Sequence, residues 1–168
     1  DIRDRLKQEL ARRSTLEFIR YTWGNDAMPF QEGFHTILIC KALDEAIEKY
    51  RNGESSYLMV TLPHRHGKSE ILSRRLPPRF LGEFPNAEIM VTGFSSELVE
   101  GFSRDARGVV RSDEYKILYP ETRISRSASG VQKWSLDNEK GKTSWIGLDG
   151  TLTGKGFNLG LCDDPFKG

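Results

Sequence analysis

Three short apolar runs constrain what this chain can fold into more than any other feature. Residues 56–62 read SYLMVTL, residues 87–94 AEIMVTGF and residues 159–164 LGLCDD. Each is too short for a helix and shows no polar alternation, which is the pattern of a strand buried on both faces. Segments with helical spacing separate them. Residues 1–23 carry Leu6, Leu10, Leu16 and Ile19 on one face, and Ser14 with Glu17 offers a capping box where the helix restarts. PFQEGFHTILICKALDEAIEKY repeats Phe34, Leu38, Ile39, Leu43, Ala46, Ile47 and Tyr50 at helical spacing and stops at Asn52-Gly53. GKSEILSRRLPPRFLGEF predicts a helix as far as its two prolines and a second piece after them. SSELVEGFSRDARGVVRS predicts another, opened by Ser95 or Ser96. KWSLDN and TSWIGLD are strand-like, with a turn at Lys140-Gly141. Strands alternating with helices predict an α/β domain with a mainly parallel central sheet flanked by helices. A helical region over 1–53 leads into a core over 54–168.

Composition narrows the classes. The chain has 168 residues, 37% hydrophobic and 29% charged, with a net charge of +1. No run reaches the ~20 apolar residues of a membrane helix. The opening DIRDRLKQEL shows no signal-peptide core, and the missing initiator Met reads as a fragment or a trimmed chain. A basic coat for nucleic acid is absent, so any such contact comes from local patches. Cys40 and Cys162 match no metal spacing and read as two buried, reduced thiols of a cytosolic protein.

The first run leads into Leu62-Pro63-His64-Arg65-His66-Gly67-Lys68-Ser69. Gly67-Lys68-Ser69 ends like the phosphate loop G-x-x-x-x-G-K-[ST], with Leu62 where the first glycine belongs. Such a loop needs a strand to deliver it, a helix N-terminus whose N–H groups face the phosphates, a Lys for the β/γ oxygens and a hydroxyl for Mg2+. The flanking strand and helix supply that context. The plain alternative is a surface turn that holds a lysine. The last run ends in Asp163-Asp164. Carboxylates at a strand's C-terminal end suit a Mg2+ ligand and a base that orients water.

Together these motifs resemble the N-terminal ATPase domain of the large terminase subunit of tailed bacteriophages, the motor that packages DNA into procapsids. LMVTLPHRHGKSEILSRRLPPRFLG is similar to that family's variant phosphate loop and following helix. IMVTGFSSELVEGFSRDAR is similar to its next strand and helix, and GLDGTLTGKGFNLGLCDDPFKG to its glycine-rich loop and acidic pair. The resemblance implies a P-loop NTPase of the ASCE type that binds ATP and Mg2+. It places Lys68 on the β/γ phosphates, Ser69 and Asp163 on the metal, and Asp164 as the catalytic acid, where the family usually has Glu. Pro63, His64, Arg65, His66 and Gly67 would line the cradle. Arg65 would stabilise the γ-phosphate of its own or a neighbouring subunit, or else pair with a surface acid. Gln31 would read the adenine edge with Phe30 stacked beside it, or else be a plain helix-start residue. The implied partners are double-stranded DNA, the portal protein and the small terminase subunit, in a ring homo-oligomer in the host cytoplasm, with no membrane. The implied fragment stops right after the acidic pair, lacks the family's nuclease domain and turns ATP over weakly alone.

Other residues read more plainly. His64 and His66 lack a third ligand at zinc spacing, and His35 reads as structural. Arg104, Arg107 and Arg111 share a helix face, first a solvated one and second a stripe for DNA phosphates or a neighbour's nucleotide. Lys155 is a distant candidate for the γ-phosphate or a neighbouring subunit. Trp23, Trp134 and Trp145 read as core or edge packing. Two rival functions stay open. One is another P-loop NTPase, helicase-like or a small-molecule kinase. The other is a degenerate nucleotide-binding or interaction module, for which Leu62 and Asp164 speak.

Overall fold

A computed structural model describes residues 1–23, 30–63, 65–150 and 156–165. His64, Lys155 and most of the glycine-rich loop lie outside the described residues. Helices α1 (Ile2–Arg13) and α2 (Thr15–Thr22) are separated by Ser14, as the sequence predicts. Ser14 is extended and accepts from Glu17 N at 3.5 Å. Only this half of the capping box forms, because the Glu17 carboxylate turns to Arg20 instead. Helix α3 (Phe34–Arg51) starts at Phe34, the first residue of its apolar pattern, and ends on Asn52, with Gly53 left-handed at φ 78°.

A π-helical segment, Glu70–Arg75, follows the GKS sequence and runs without a break into α4 (Leu76–Glu83). The prolines do not split the helix as expected. Pro77 and Pro78 lie in the first turn of α4, and they lack the N–H groups that would close α turns onto residues 73 and 74. The ladder widens instead, and Leu76 N bonds Ile71 O, five residues back. Then come β1 (Glu88–Gly93), α5 (Ser96–Arg111) with Ser95 as its N-cap, and α6 (Asp113–Leu118). Strands β2 (Ile124–Ser129), β3 (Lys133–Leu136), β4 (Lys142–Gly147) and β5 (Leu159–Asp163) complete the described chain.

The five strands form one sheet in the order β2-β3-β4-β1-β5. The expected mainly parallel sheet is corrected: β1 is parallel to β4 and β5, but β3 is antiparallel to both β2 and β4. The cause is local. The turn after Leu136 is too short for a crossover, so β3 and β4 can only form a hairpin. Helix α5 packs on β1, β4 and the π segment. Trp134 and Trp145 are buried and nearly parallel, with ring centroids 6.4 Å apart, which agrees with packing rather than base stacking. Their indole N–H groups bond Ser103 Oγ and Thr143 Oγ1.

A second correction concerns residues 56–62. They form no strand. Tyr57 and Met59 are almost fully exposed, and only Val60 and Leu62 touch the core. Apolar composition makes a run able to pair, but a strand exists only against a partner. Here a groove of about 640 Å3 is lined by residues 54–57, by α3 and α4, and by residues 159–162 of β5. The cysteine reading divides: Cys40 is buried, whereas Cys162 is exposed on β5.

Candidate functional site

The parallel strands bring their C-terminal ends into line. Gly93 at the end of β1 pairs with Gly147 of β4 on one side and with Asp163 of β5 on the other. Ligands in open α/β sheets bind beyond these ends. Gly93 keeps the row tight, since a Cβ there would lie 3.0 Å from Asp163 O and 2.9 Å from Val99 Cγ1.

The GKS sequence meets β5 at this edge. Gly67 takes φ 78°, open to glycine at no steric cost, and its carbonyl receives Ile71 N at 3.1 Å. Lys68, four-fifths buried, reaches across to the acidic pair: its Nζ lies 3.2 Å from Asp163 Oδ1 and bonds Asp164 Oδ1. Burial pulls the Lys68 ammonium down, but its contacts with Asp164 and Asp163 more than offset that, so the group sits above its ordinary value. Asp163 is buried and Asp164 half exposed. Asp163 Oδ2 accepts from Ser73 Oγ at 2.7 Å. Its Oδ1 faces Lys68 as an ion pair but has no hydrogen bond among the described residues. Arg65 and Asp164, both non-glycine, hold left-handed backbone at φ 63° and 43°. Such conformations cost about 1–3 kcal/mol each and concentrate at ligand clamps.

Several predicted residues converge and others do not. Lys68, Asp163 and Asp164 come together. Ser69 is half-buried at the start of the π segment and makes no capping bond. Arg65 and His66 are exposed in the loop, as is Pro63 before it. Gln31 is exposed just before α3. Its neighbour Glu32 is gripped at both oxygens by Arg20, at 2.6 and 2.5 Å. Phe30 packs on Trp23 with centroids 4.9 Å apart, and the Arg75 guanidinium lies 4.8 Å over that indole. The arginine stripe on α5 divides. Arg104 is exposed beside Glu100, Arg111 is exposed, and Arg107 is half-buried with its Nε unpartnered among the described residues.

Two residues escaped sequence reasoning. His35, expected to be structural, touches the loop: its Nε2 lies 3.1 Å from the His66 carbonyl, and the two rings meet edge-on at 5.8 Å. Gly33 makes this possible, because a Cβ there would sit 2.5 Å from His35 Cε1. Ser73 is the other, wholly buried and bonded to Asp163. A serine six places after Gly67 carries no motif signal, and only the π winding and the placement of β5 reveal it.

Mg2+ fits this donor set in one particular form. No group of three or more His, Cys, Asp or Glu side chains able to hold a metal occurs among the described residues. Mg2+ bound with a phosphate ligand needs only one or two carboxylates and keeps waters for the rest. Asp163, whose Oδ1 lacks a hydrogen bond among the described residues, beside Asp164, is of that kind. Compared with known proteins, the chain matches no family profile, no curated protein and no solved structure.

Proposed function

We propose that this chain is the ATP-hydrolysing part of a DNA-packaging motor of the large-terminase type, with a P-loop NTPase core. The observation that supports it most is the meeting of Lys68 with Asp163 and Asp164 at the C-terminal ends of the parallel strands, directly after a left-handed Gly67. Two residues that come together across 95 positions of sequence are those the motifs pair.

In this reading Lys68 leaves its carboxylates and neutralises the β/γ phosphates. The backbone N–H groups at Gly67 to Ser69 line the phosphates at the start of the helix. Ser69 Oγ and Asp163 would hold Mg2+, which would supply positive charge to offset that of the phosphates. Asp164 orients the attacking water and takes its proton as the bond from γ-phosphorus to ADP breaks. Arg65 offers a guanidinium to the charge that develops there. Gln31, exposed just before α3, would read the adenine edge.

The reading is tested by ATP binding and turnover, with and without duplex DNA, for the parent and Lys68→Ala. We expect micromolar Mg-ATP binding by the parent. Lys68→Ala should weaken it at least tenfold and abolish turnover. Phosphate release stimulated by DNA, with no phosphorylated small molecule, separates a motor from a kinase. Equal turnover by parent and Lys68→Ala would sink the enzyme reading. Nucleotide binding with no turnover under any condition would leave a binding module, which the unpaired 56–62 run favours.

A further inference from the structure

We propose that Ser73 is a positioning residue for the acidic pair, fixing the Asp163 carboxylate so that Oδ1 alone is presented to an incoming divalent cation. The proposal rests on the nucleotide-site reading and deepens it. Ser73 is fully buried, in a segment that also buries Ile71 and Arg75. A serine there costs stability unless its hydroxyl is bonded. Helical serines usually bond the carbonyl one turn back. Ser73 Oγ instead donates to Asp163 Oδ2 at 2.7 Å, across from the helix to the sheet.

The two carboxylate oxygens are thereby made unequal. Oδ2 accepts from a neutral donor on the helix that is itself wholly buried. Oδ1 is equally buried but has no hydrogen bond among the described residues, and it faces the Lys68 ammonium at 3.2 Å. When phosphate draws Lys68 away, Oδ1 is the uncompensated buried atom, and a cation is what satisfies it. The rare π winding makes this alignment. It lets Glu70 pair with both Arg74 and Arg75, four and five residues on, at 2.8 Å each, while Ser73 turns toward β5. π segments recur at functional sites. Residues behind a metal ligand typically change metal affinity 10–100-fold when removed.

The test measures Mn2+ affinity by electron paramagnetic resonance in the presence of ATP, and ATP affinity in EDTA, for the parent, Ser73→Ala and Ser73→Cys. Circular dichroism and thermal melting establish that each variant is folded. Ser73→Ala should lose about tenfold in Mn2+ affinity, with metal-free ATP binding unchanged within about twofold. Ser73→Cys keeps the volume with a weaker donor and should fall between. Parent-like Mn2+ binding by folded Ser73→Ala overturns the proposal and leaves the nucleotide reading standing. So does an equal fall in both affinities, which marks a core residue only. If neither variant folds, Ser73 is a packing residue and the proposal fails. A folded parent that binds neither ATP nor Mn2+ removes the nucleotide reading and this role together.

Discussion

Lys68 is already paired with Asp163 and Asp164, the carboxylates that would compete with phosphate for its ammonium. Its partner Asp164 is half exposed and held in left-handed backbone, whereas Asp163 is buried and bonded to Ser73. The two acids are therefore separable. Asp164→Asn removes the charge that draws Lys68 away from phosphate, so ATP binding should tighten about two- to tenfold while turnover falls ~100-fold or more. Isothermal titration with Mg-ATP, run beside a phosphate-release assay, checks both halves. Weakened binding by a folded Asp164→Asn would contradict the competition. Lys68 and both aspartates were legible because spacing and strand ends mark them. His35 and Ser73 were not, because each is marked only by a neighbour that the fold supplies: the His66 carbonyl in one case, the Asp163 carboxylate in the other.

Among the elements, the π segment is where the sequence misleads and the physics can be tested. Two prolines were read as a break, yet the helix passes through them by widening, and Glu70 joins its turns by pairing with Arg74 and Arg75. Burial pushes the Glu70 carboxyl up, but the two guanidinium groups together bring it below its ordinary value of 4.5. A depressed carboxylate stabilises the fold fully above its unfolded pKa, and that stability is lost as pH falls through the lower folded value. Glu70→Gln should cost about 1–3 kcal/mol at pH 7, since it leaves charged partners short of an acceptor. The loss corresponds to roughly 2–12 °C in Tm for a chain of this size. The gap between parent and variant should close as pH drops below about 4.5. A gap that stays constant from pH 7 to 3 would show that the carboxylate charge contributes nothing. Helices α1, α2, α3 and α5 were legible from apolar spacing, with serine caps at α2 and α5, although Leu6, Leu10, Phe34 and Leu38 of the expected stripes stay exposed. Helix α6 and strand β2 were not. The first is a single short stretch, and the second is the polar run ISRSAS, whose register with β3 shifts between Ile124 and Ser129.

Across the whole molecule, the α/β layering was readable but the sheet's margins were not. Margins depend on which strand lies beside which, and composition does not encode that. The two margins differ in kind. At β2 the register shifts between Ile124 and Ser129, and the strand is polar and carries Arg126, devices that discourage a second sheet from joining. At β5 the sequence is Leu-Gly-Leu-Cys up to Asp163, with no lysine, proline or bulge, and its outer side has no strand partner among the described residues. The groove beside it is walled by the equally unpaired, exposed Tyr57. For anyone purifying this chain, that margin is a nucleus for aggregation: concentrated samples should self-associate edge to edge even with thiols reduced. Sedimentation velocity from about ten to several hundred micromolar should show mass rising with concentration, and Cys162→Lys, which puts a charge on the exposed strand, should hold the chain monomeric. A parent that stays monomeric throughout would mean the edge is already shielded in solution. The β5 margin is thus a handling hazard as much as a wall of the site, and the concentration at which this protein is studied becomes part of its structure.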